Sequence, residues 1–350
     1  MADAAARKLY DIIVVGGGFA GLSAAMNAAS ENRTVLLLEG GESLGGQGGS
    51  TNRILNLFGF PDGISGAELT NRAIKHLDNR GADYRVHKQA IRLEKHPEGP
   101  FTVFCDDNSQ FHGRTVIAAC GLKYRELEVP GEQRYKGRGI SYGFPEINNE
   151  LWRDRRVVVV GGGNSGAQAC LFLTDCNNCH VTFVVRGGNL AKSMSGMYLP
   201  HFTPGKIPNL DILLGASVQE IRGDDSRVSE ILLKLPNGSQ SIKMDHACVM
   251  VGGSPHTGWL SEIASLDKFN FILTDRDLAE DTLPLFGRKP LHCETNVPGL
   301  FAVGDVRAGN DRRRATSAAN EGMQGAASAV QYLDDLNLLL KLKDKVAKVA

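Results

Sequence analysis

The sequence predicts an α/β fold built twice, with the second unit inserted into the first, and two glycine-rich turns carry that expectation. One reads Asp11-Ile-Ile-Val-Val-Gly16-Gly-Gly18-Phe19-Ala20-Gly21, the other Arg156-Val-Val-Val-Val-Gly161-Gly-Gly163-Asn164-Ser165-Gly166. Each follows a four-residue apolar run, as a strand covered on both faces does, and precedes a stretch of small, helix-forming residues. A third observation is the echo between the halves: turn, helix, strand and a run of alternating strands recur 145 positions apart.

The spacing has a physical reason. The first glycine permits a tight turn at the end of a buried strand, the second lets backbone approach a pyrophosphate, and the third lets the helix pack on the strand. The helix then presents free N–H groups and the positive end of its dipole to phosphate. One such turn fits any α/β protein; two in matched context predict two Rossmann-like dinucleotide-binding domains, each of three ββα layers, with electrons passing between two bound nucleotides. The candidate contacts are Gly16, Gly18, Phe19, Ala20 and Gly21 in the first turn and Gly161, Gly163, Asn164, Ser165 and Gly166 in the second.

In chain order, a helix is expected over 19–30 and a strand over 34–38, ending in Glu39. That acid stands 18 residues past Gly21, close to where a carboxylate takes ribose hydroxyls; a solvated loop start is the plainer alternative. Residues 82–126 read as alternating strands at 83–86, 90–93, 101–104 and 115–118, and Val129-Pro130-Gly131 marks a crossover. The second unit continues with a helix over 165–174 and a strand over 181–185. Meander strands follow near 211–214, 217–221, 228–234 and 240–243, and a strand over 247–251 closes the unit. The chain then returns with Pro298-Gly-Leu-Phe-Ala-Val-Gly304-Asp305 and a helix over 315–341. The expected domains are 1–126 with 253–350, and 127–252.

Length and charge narrow the classes. A chain of 350 residues accommodates two cores, and 39 basic against 39 acidic residues leave no global field for nucleic acid or an acidic membrane. No run of 18 apolar residues suggests a membrane span, and Met1-Ala-Asp-Ala-Ala-Ala lacks a signal-peptide pattern. Seven scattered cysteines, an odd number, read as reduced thiols, so a cytoplasmic protein is expected.

Further segments fall in a recognisable order: Gly45-Gly46-Gln47, Asn56-Leu-Phe-Gly59-Phe60-Pro61, Tyr124-Arg125-Glu-Leu-Glu-Val-Pro130-Gly131-Glu132, Gly252-Gly253-Ser-Pro255 and Gly304-Asp305. With the two turns, they make the chain resemble the low-molecular-weight thioredoxin reductase family of FAD- and NAD(P)H-dependent flavoproteins over almost its whole length. The resemblance implies that Gly16, Gly18, Gly21 and Glu39 hold the FAD pyrophosphate and ribose, that Gly46, Gln47 and Asn56 line the flavin side, and that Gly121 also contacts FAD. Asp305 would bind the ribityl chain or a phosphate. Arg314 and Ala315 would open a helix aimed at the isoalloxazine, whose reduced anion the dipole stabilises. Gly161, Gly163, Asn164, Ser165, Gly166, Arg186 and Gly253 would hold the second nucleotide. Arg186 suits a 2′-phosphate, which favours NADPH, but the family's next basic residue is Gly187 here, so NADH stays open. The resemblance also implies a homodimer.

One departure decides the activity expected. The family carries Cys-x-x-Cys directly after the aromatic residue that Tyr142 matches, and this chain has Gly143 and Glu146 there. The leading expectation is therefore an FAD oxidoreductase passing electrons from NAD(P)H to an external acceptor: ferredoxin, flavodoxin, a quinone, oxygen or a small disulfide. Glu146 is a candidate proton donor. Three alternatives stand beside it. One is a disulfide or thioredoxin reductase using relocated cysteines, with Cys176-Asn-Asn-Cys179 the candidate pair; these otherwise read as surface thiols, an adventitious disulfide or a weak metal site at the sheet edge remote from the nucleotides. Another is an NADPH-independent, ferredoxin-linked flavoenzyme with an altered ligand, even a second FAD, in the inserted domain. The last is a non-catalytic FAD-binding redox sensor. No metal site is expected, since the CxxC and His180 fall short of a structural zinc set.

Overall fold

The computed structural model describes residues 8–49, 51, 54, 57–97, 99–143, 149–176, 178–279, 288–309 and 314–349. Strand Leu9–Val15 is covered on both sides, which is why its sequence reads as an unbroken apolar run. Ile12 and Val14 face a core shared with helices Phe19–Ser30 and Ala315–Val349. Ile13 and Val15 face a second core with Leu93, Phe101, Val103 and Trp259. Each fully buried aliphatic side chain of this kind contributes about 2 kcal/mol.

The parallel strands run in the order Asp83–Arg85, Val35–Leu38, Leu9–Val15, Gln110–Ala118 and Leu300–Ala302. Strand Gln110–Ala118 serves two layers. Residues 110–113 pair antiparallel with Phe101–Cys105, which continues to Ala90–Lys95, while 116–118 pair parallel with 300–302. Helices on one face, sheet in the middle and meander on the other make the ββα layering. Small residues let the helices close up: a Cβ on Gly322 would lie 2.1 Å from the Ala20 carbonyl oxygen. Helix Gly66–Arg80 is bounded by local chemistry, with Ser65 Oγ accepting the Glu68 N–H at 3.1 Å and Gly81 ending it in the left-handed region.

The second unit repeats the pattern. Its sheet runs Leu210–Leu214, His180–Val185, Arg156–Val160, His246–Val249 and Ile140–Tyr142, all parallel. Val157 and Val159 face the core beneath helix Asn164–Thr174; Val158 and Val160 face the core with Ile221, Val228, Ile231 and Leu233 of a three-stranded antiparallel sheet. By Cα packing the chain forms two compact units, Met1–Lys123 with Ser254–Ala350, and Tyr124–Gly253. Among the described residues no helix is long and apolar enough to cross a membrane.

Two short strands differ from the sequence reading. Asp83–Arg85 and Leu210–Leu214 read as meander strands but are parallel edge strands of the main sheets. An edge strand has one exposed face, so its residues alternate like those of a meander. The last helix also runs further than residue 341, to Val349.

Candidate functional site

Both glycine turns sit at the carboxyl edge of a parallel sheet and share one backbone geometry. Gly16 has φ +109°, and a Cβ there would lie 2.4 Å from the Ala119 carbonyl oxygen; Gly161 has φ +127°, with the Met250 carbonyl oxygen at 2.3 Å. The third glycines are tighter still. A Cβ on Gly21 would meet Gly16 O at 1.8 Å, and one on Gly166 would meet Gly161 O at 1.9 Å. No side chain fits at such distances, so the helix rests directly on the turn. Gly18 and Gly163 cap the two helices with extended backbone and no side-chain hydrogen bond, which leaves the first N–H groups for an anion. A Cβ on Gly18 would meet nothing within 4 Å, so this approach is open. Phe19 and Ala20, in the first helical turn, are buried core residues, and Ser165 is exposed.

Glu39 follows strand Val35–Leu38 and turns its carboxylate back to the glycines: Oε2 accepts the Gly17 N–H and Oε1 the Gly41 N–H, each at 2.7 Å. The Gly45 N–H donates to Gly17 O at 2.8 Å, and Gly46 (φ +53°) opens a short helix in which the Gln47 amide donates to the Leu122 carbonyl oxygen. Gly121 (φ +59°) accepts the His256 N–H at 3.2 Å. Gly304 and Asp305 form a turn just past Leu300–Ala302. The topology thus gathers Gly16 to Gly21, Glu39, Gly46, Gln47, Gly121 and Asp305 along one sheet edge. Arg314 immediately precedes helix Ala315–Val349, its carbonyl oxygen accepting the Ala318 N–H at 2.9 Å. Asn56 lies outside the described residues.

Several supporting residues have no role assigned from the sequence. Glu321 accepts the Gly304 N–H at 2.9 Å and two bonds from Arg307, at 3.0 and 3.2 Å. It fixes the Gly304-Asp305 turn from the long helix. Glu294, fully buried, accepts a fork from Arg288 at 2.8 Å through each oxygen, together with the Leu291 and Gly299 N–H groups. Glu132 accepts the N–H groups of Leu127 and Glu128 at 2.8 and 2.7 Å, fixing the turn after Arg125. An acid set among small or apolar neighbours is the one signal available for such residues.

In the second unit the segment after Arg186 folds over the glycine turn. Ser193 Oγ donates to Gly162 O at 2.8 Å, and Asn164 Oδ1 accepts the Ser195 N–H at 2.8 Å. Asn164 therefore positions this covering segment. Arg186 is exposed just past strand His180–Val185, and Gly253 follows strand His246–Val249 at the same edge.

Gly143 stands where the dithiol of the resembled family would begin. Gly143 has φ +91°, and a Cβ there would lie 2.7 Å from Tyr124 Oη. The Tyr142 hydroxyl beside it is buried and has no hydrogen-bond partner among the described residues. Glu146 lies outside the described residues. Cys176 and Cys179, expected as surface thiols, are 2% and 0% exposed. Cys176 Sγ donates to Phe172 O at 3.4 Å. They join the core of helix Asn164–Thr174 and Trp152, which extends to the amino edge of the sheet. Burial pushes both thiols up, Cys179 to about 12, away from the thiolate that disulfide exchange needs.

Two matched dinucleotide turns in two ββα units define an α/β protein of the two-nucleotide oxidoreductase class. The model of the family described as pyridine nucleotide-disulphide oxidoreductase matches residues 10–330, and the chain belongs to that family. A thioredoxin reductase of Listeria innocua is 30% identical over 342 residues, 97% of this chain and 98% of its own. One subunit of the Escherichia coli alkyl hydroperoxide reductase is 30% identical over 332 residues, 93% of this chain, which spans 59% of that longer protein. Among solved structures, thioredoxin reductase from Streptococcus pyogenes is similar at a TM-score of 0.76 and 30% identity, over 93% of this chain and 99% of that one.

Proposed function

We propose that this chain is an FAD-dependent oxidoreductase that takes electrons from NADPH and delivers them to an acceptor outside its own sequence. The observation that carries this reading is the pair of obligatory glycine contacts, Gly21 on Gly16 and Gly166 on Gly161, each beneath an uncapped helix N-terminus. These residues fit a dinucleotide pyrophosphate in each unit.

In the first unit the fit favours FAD. Glu39, held by the Gly17 and Gly41 N–H groups, suits ribose hydroxyls, and Gly46, Gln47, Gly121 and Asp305 lie along the same edge; Arg314 and Ala315 open the long helix. In the second, Arg186 favours a 2′-phosphate, and no acid at that position repels it. FAD, when bound, supplies two-electron chemistry at its ring; the chain binds it, orients it and excludes water. Glu146 stays the candidate proton donor.

Gly143 and the buried Cys176 and Cys179 argue for an acceptor that meets the flavin without a thiol relay from this chain. Ferredoxin, flavodoxin, a quinone, oxygen or a small disulfide fit that description, and the enzyme would act as a homodimer in the cytoplasm. Mixing the FAD-loaded protein anaerobically with NADPH tests the reading. The flavin absorbance should bleach, less readily with NADH, and Cys176→Ser or Cys179→Ser should leave both bleaching and acceptor turnover unchanged. Failure of both nicotinamides to bleach it would overturn the proposal. Bleaching by reduced ferredoxin alone would point instead to a ferredoxin-fed enzyme, and loss of turnover in the cysteine variants to relocated disulfide chemistry.

A further inference from the structure

Among residues assigned to neither nucleotide, three side chains of different ligand chemistry converge in the first unit. His292 Nδ1 lies 3.2 Å from Asp275 Oδ2, and Cys293 Sγ completes a set whose three ligand atoms all lie within 4.8 Å of one another. Asp275 and Cys293 both have left-handed backbone, at φ +33° and +63°, which is uncommon for non-glycine residues. The Asp275 carboxylate ties the two segments together: Oδ2 accepts the Cys293 N–H at 2.8 Å and Oδ1 the Arg276 N–H at 2.6 Å. The Asp275 N–H in turn donates to Glu294 O at 2.8 Å. Strain of this kind persists where the surroundings enforce it, and it clusters at ligand clamps.

We propose that Asp275, His292 and Cys293 form a binding site for a zinc-class divalent cation. One oxygen, one imidazole nitrogen and one sulfur suit a borderline-soft ion better than magnesium or calcium, which take oxygen. In a tetrahedral site with bonds of about 2.0–2.3 Å, ligand atoms stand roughly 3.3–3.8 Å apart. The His292–Asp275 spacing is already close to that, and Cys293 has at most about 1 Å to close.

The surroundings support an ion there. With Nδ1 on the cation, the His292 Nε2–H donates to Gln324 Oε1 at 3.0 Å, the outer bond that orients a ligating imidazole. Asp275 and Glu321 bring two carboxylates to the site beside Arg307, which pairs with Glu321, and Cys293 would give up its thiol proton when the ion binds. The His292 side chain is 39% exposed, giving the ion a way in and a water the fourth position. The plainer reading is a His292–Asp275 hydrogen bond beside a packed thiol. It explains the short contact, but not why a sulfur is held against the same pair on left-handed backbone.

Equilibrium dialysis of the FAD-loaded full chain against submicromolar zinc, with metal counted by mass spectrometry, tests the site. About one zinc per chain should bind. His292→Gln and Cys293→Ser should each lower affinity by at least tenfold, and Gln324→Ala by roughly tenfold. X-ray absorption of the bound zinc should show a sulfur ligand. The partly exposed His292 and Gln324 keep the test sound if Cys293→Ser fails to fold. Less than half an equivalent in the wild type, undiminished binding in His292→Gln, or a sulfur-free coordination shell would each overturn the proposal.

Discussion

The two glycine-turn strands carry opposite charges at matched positions. Asp11 stands five residues before Gly16, and Arg156 five residues before Gly161. Asp11 Oδ1 accepts a bond from Arg114 on the neighbouring strand at 3.3 Å. Arg156 forks onto Asp245, just before its own neighbouring strand, at 2.9 and 3.2 Å. The ion pair occupies the same place in both units with its ends exchanged. The carboxyl ends differ too: Glu39 follows the second strand of one unit, and in the other Val185 holds the matching register position, one residue before Arg186. Backbone contacts that admit only glycine are common to both copies, whereas charges at strand ends vary, holding strands together at one edge and, under the proposed function, selecting a ligand at the other.

The sharpest way to break that division is to add one methyl group to each turn. Gly21→Ala and Gly166→Ala place a Cβ within 1.9 Å of a carbonyl oxygen, an overpacking that costs about 3 kcal/mol or more. Gly21→Ala should purify without flavin, while Gly166→Ala should keep its flavin and lose reduction by NADPH. Loss of flavin in both variants would show that the turns do not act separately.

A second difference concerns pH. Thr115 and His246 hold matched positions, opposite Ile12 and Val157. Thr115 is neutral and donates to Asp11 O at 3.0 Å. His246 bonds Ser141 through Nε2 at 2.9 Å and packs edge-on to Trp152; burial, aided by Arg155, pulls its pKa from 6.5 to about 4. The unfolded chain therefore takes up this proton first, so stability is complete above about 6.5 and falls as pH drops towards 4, by up to about 3 kcal/mol. Urea melts across that window should show the loss, and His246→Thr, which installs the other unit's residue, should flatten it. An unchanged slope in His246→Thr would place the sensitivity elsewhere.

Smaller effects sharpen the contrast at the carboxyl edges. Glu39→Gln removes the charge from two N–H bonds and should weaken FAD roughly tenfold, measured by fluorescence titration of the apoprotein. Arg186→Glu should shift the ratio of kcat/KM for NADPH over NADH about fivefold towards NADH, the scale of an exposed charge pair. Unaltered selectivity would remove Arg186 from the 2′-phosphate reading.

The fold was legible because its elements carry periodic or obligatory signals. Apolar runs ending in Gly16 and Gly161 located both parallel sheets, and helices 19–30 and 165–174 fell within one residue of their observed limits. Edge strands 83–85 and 210–214 were misread, since half-exposed strands look alike whether parallel or antiparallel. Positions set by chain-local geometry, such as the obligatory turn glycines Gly16, Gly21, Gly161 and Gly166, could be read directly. Those set by distant contacts could not: Glu321 acts 17 residues from Gly304, and nothing in Cys176-Asn-Asn-Cys179 reveals that both thiols are buried beneath a helix. The convergence of Asp275 with His292 and Cys293 is of the same kind, made by left-handed turns that no local pattern announces.

The insertion has a consequence for how the molecule is made. The chain leaves the first unit after Lys123 and re-enters it at Ser254, and strand Leu300–Ala302 with Gly304 and Asp305 comes later still. On the ribosome the contiguous second unit can close its core while the first still waits for its fifth parallel strand. The earliest glycine turn to be synthesised thus belongs to the last pocket to be finished, and a nascent chain stalled before residue 300 would have a completed inserted unit and an unfinished host.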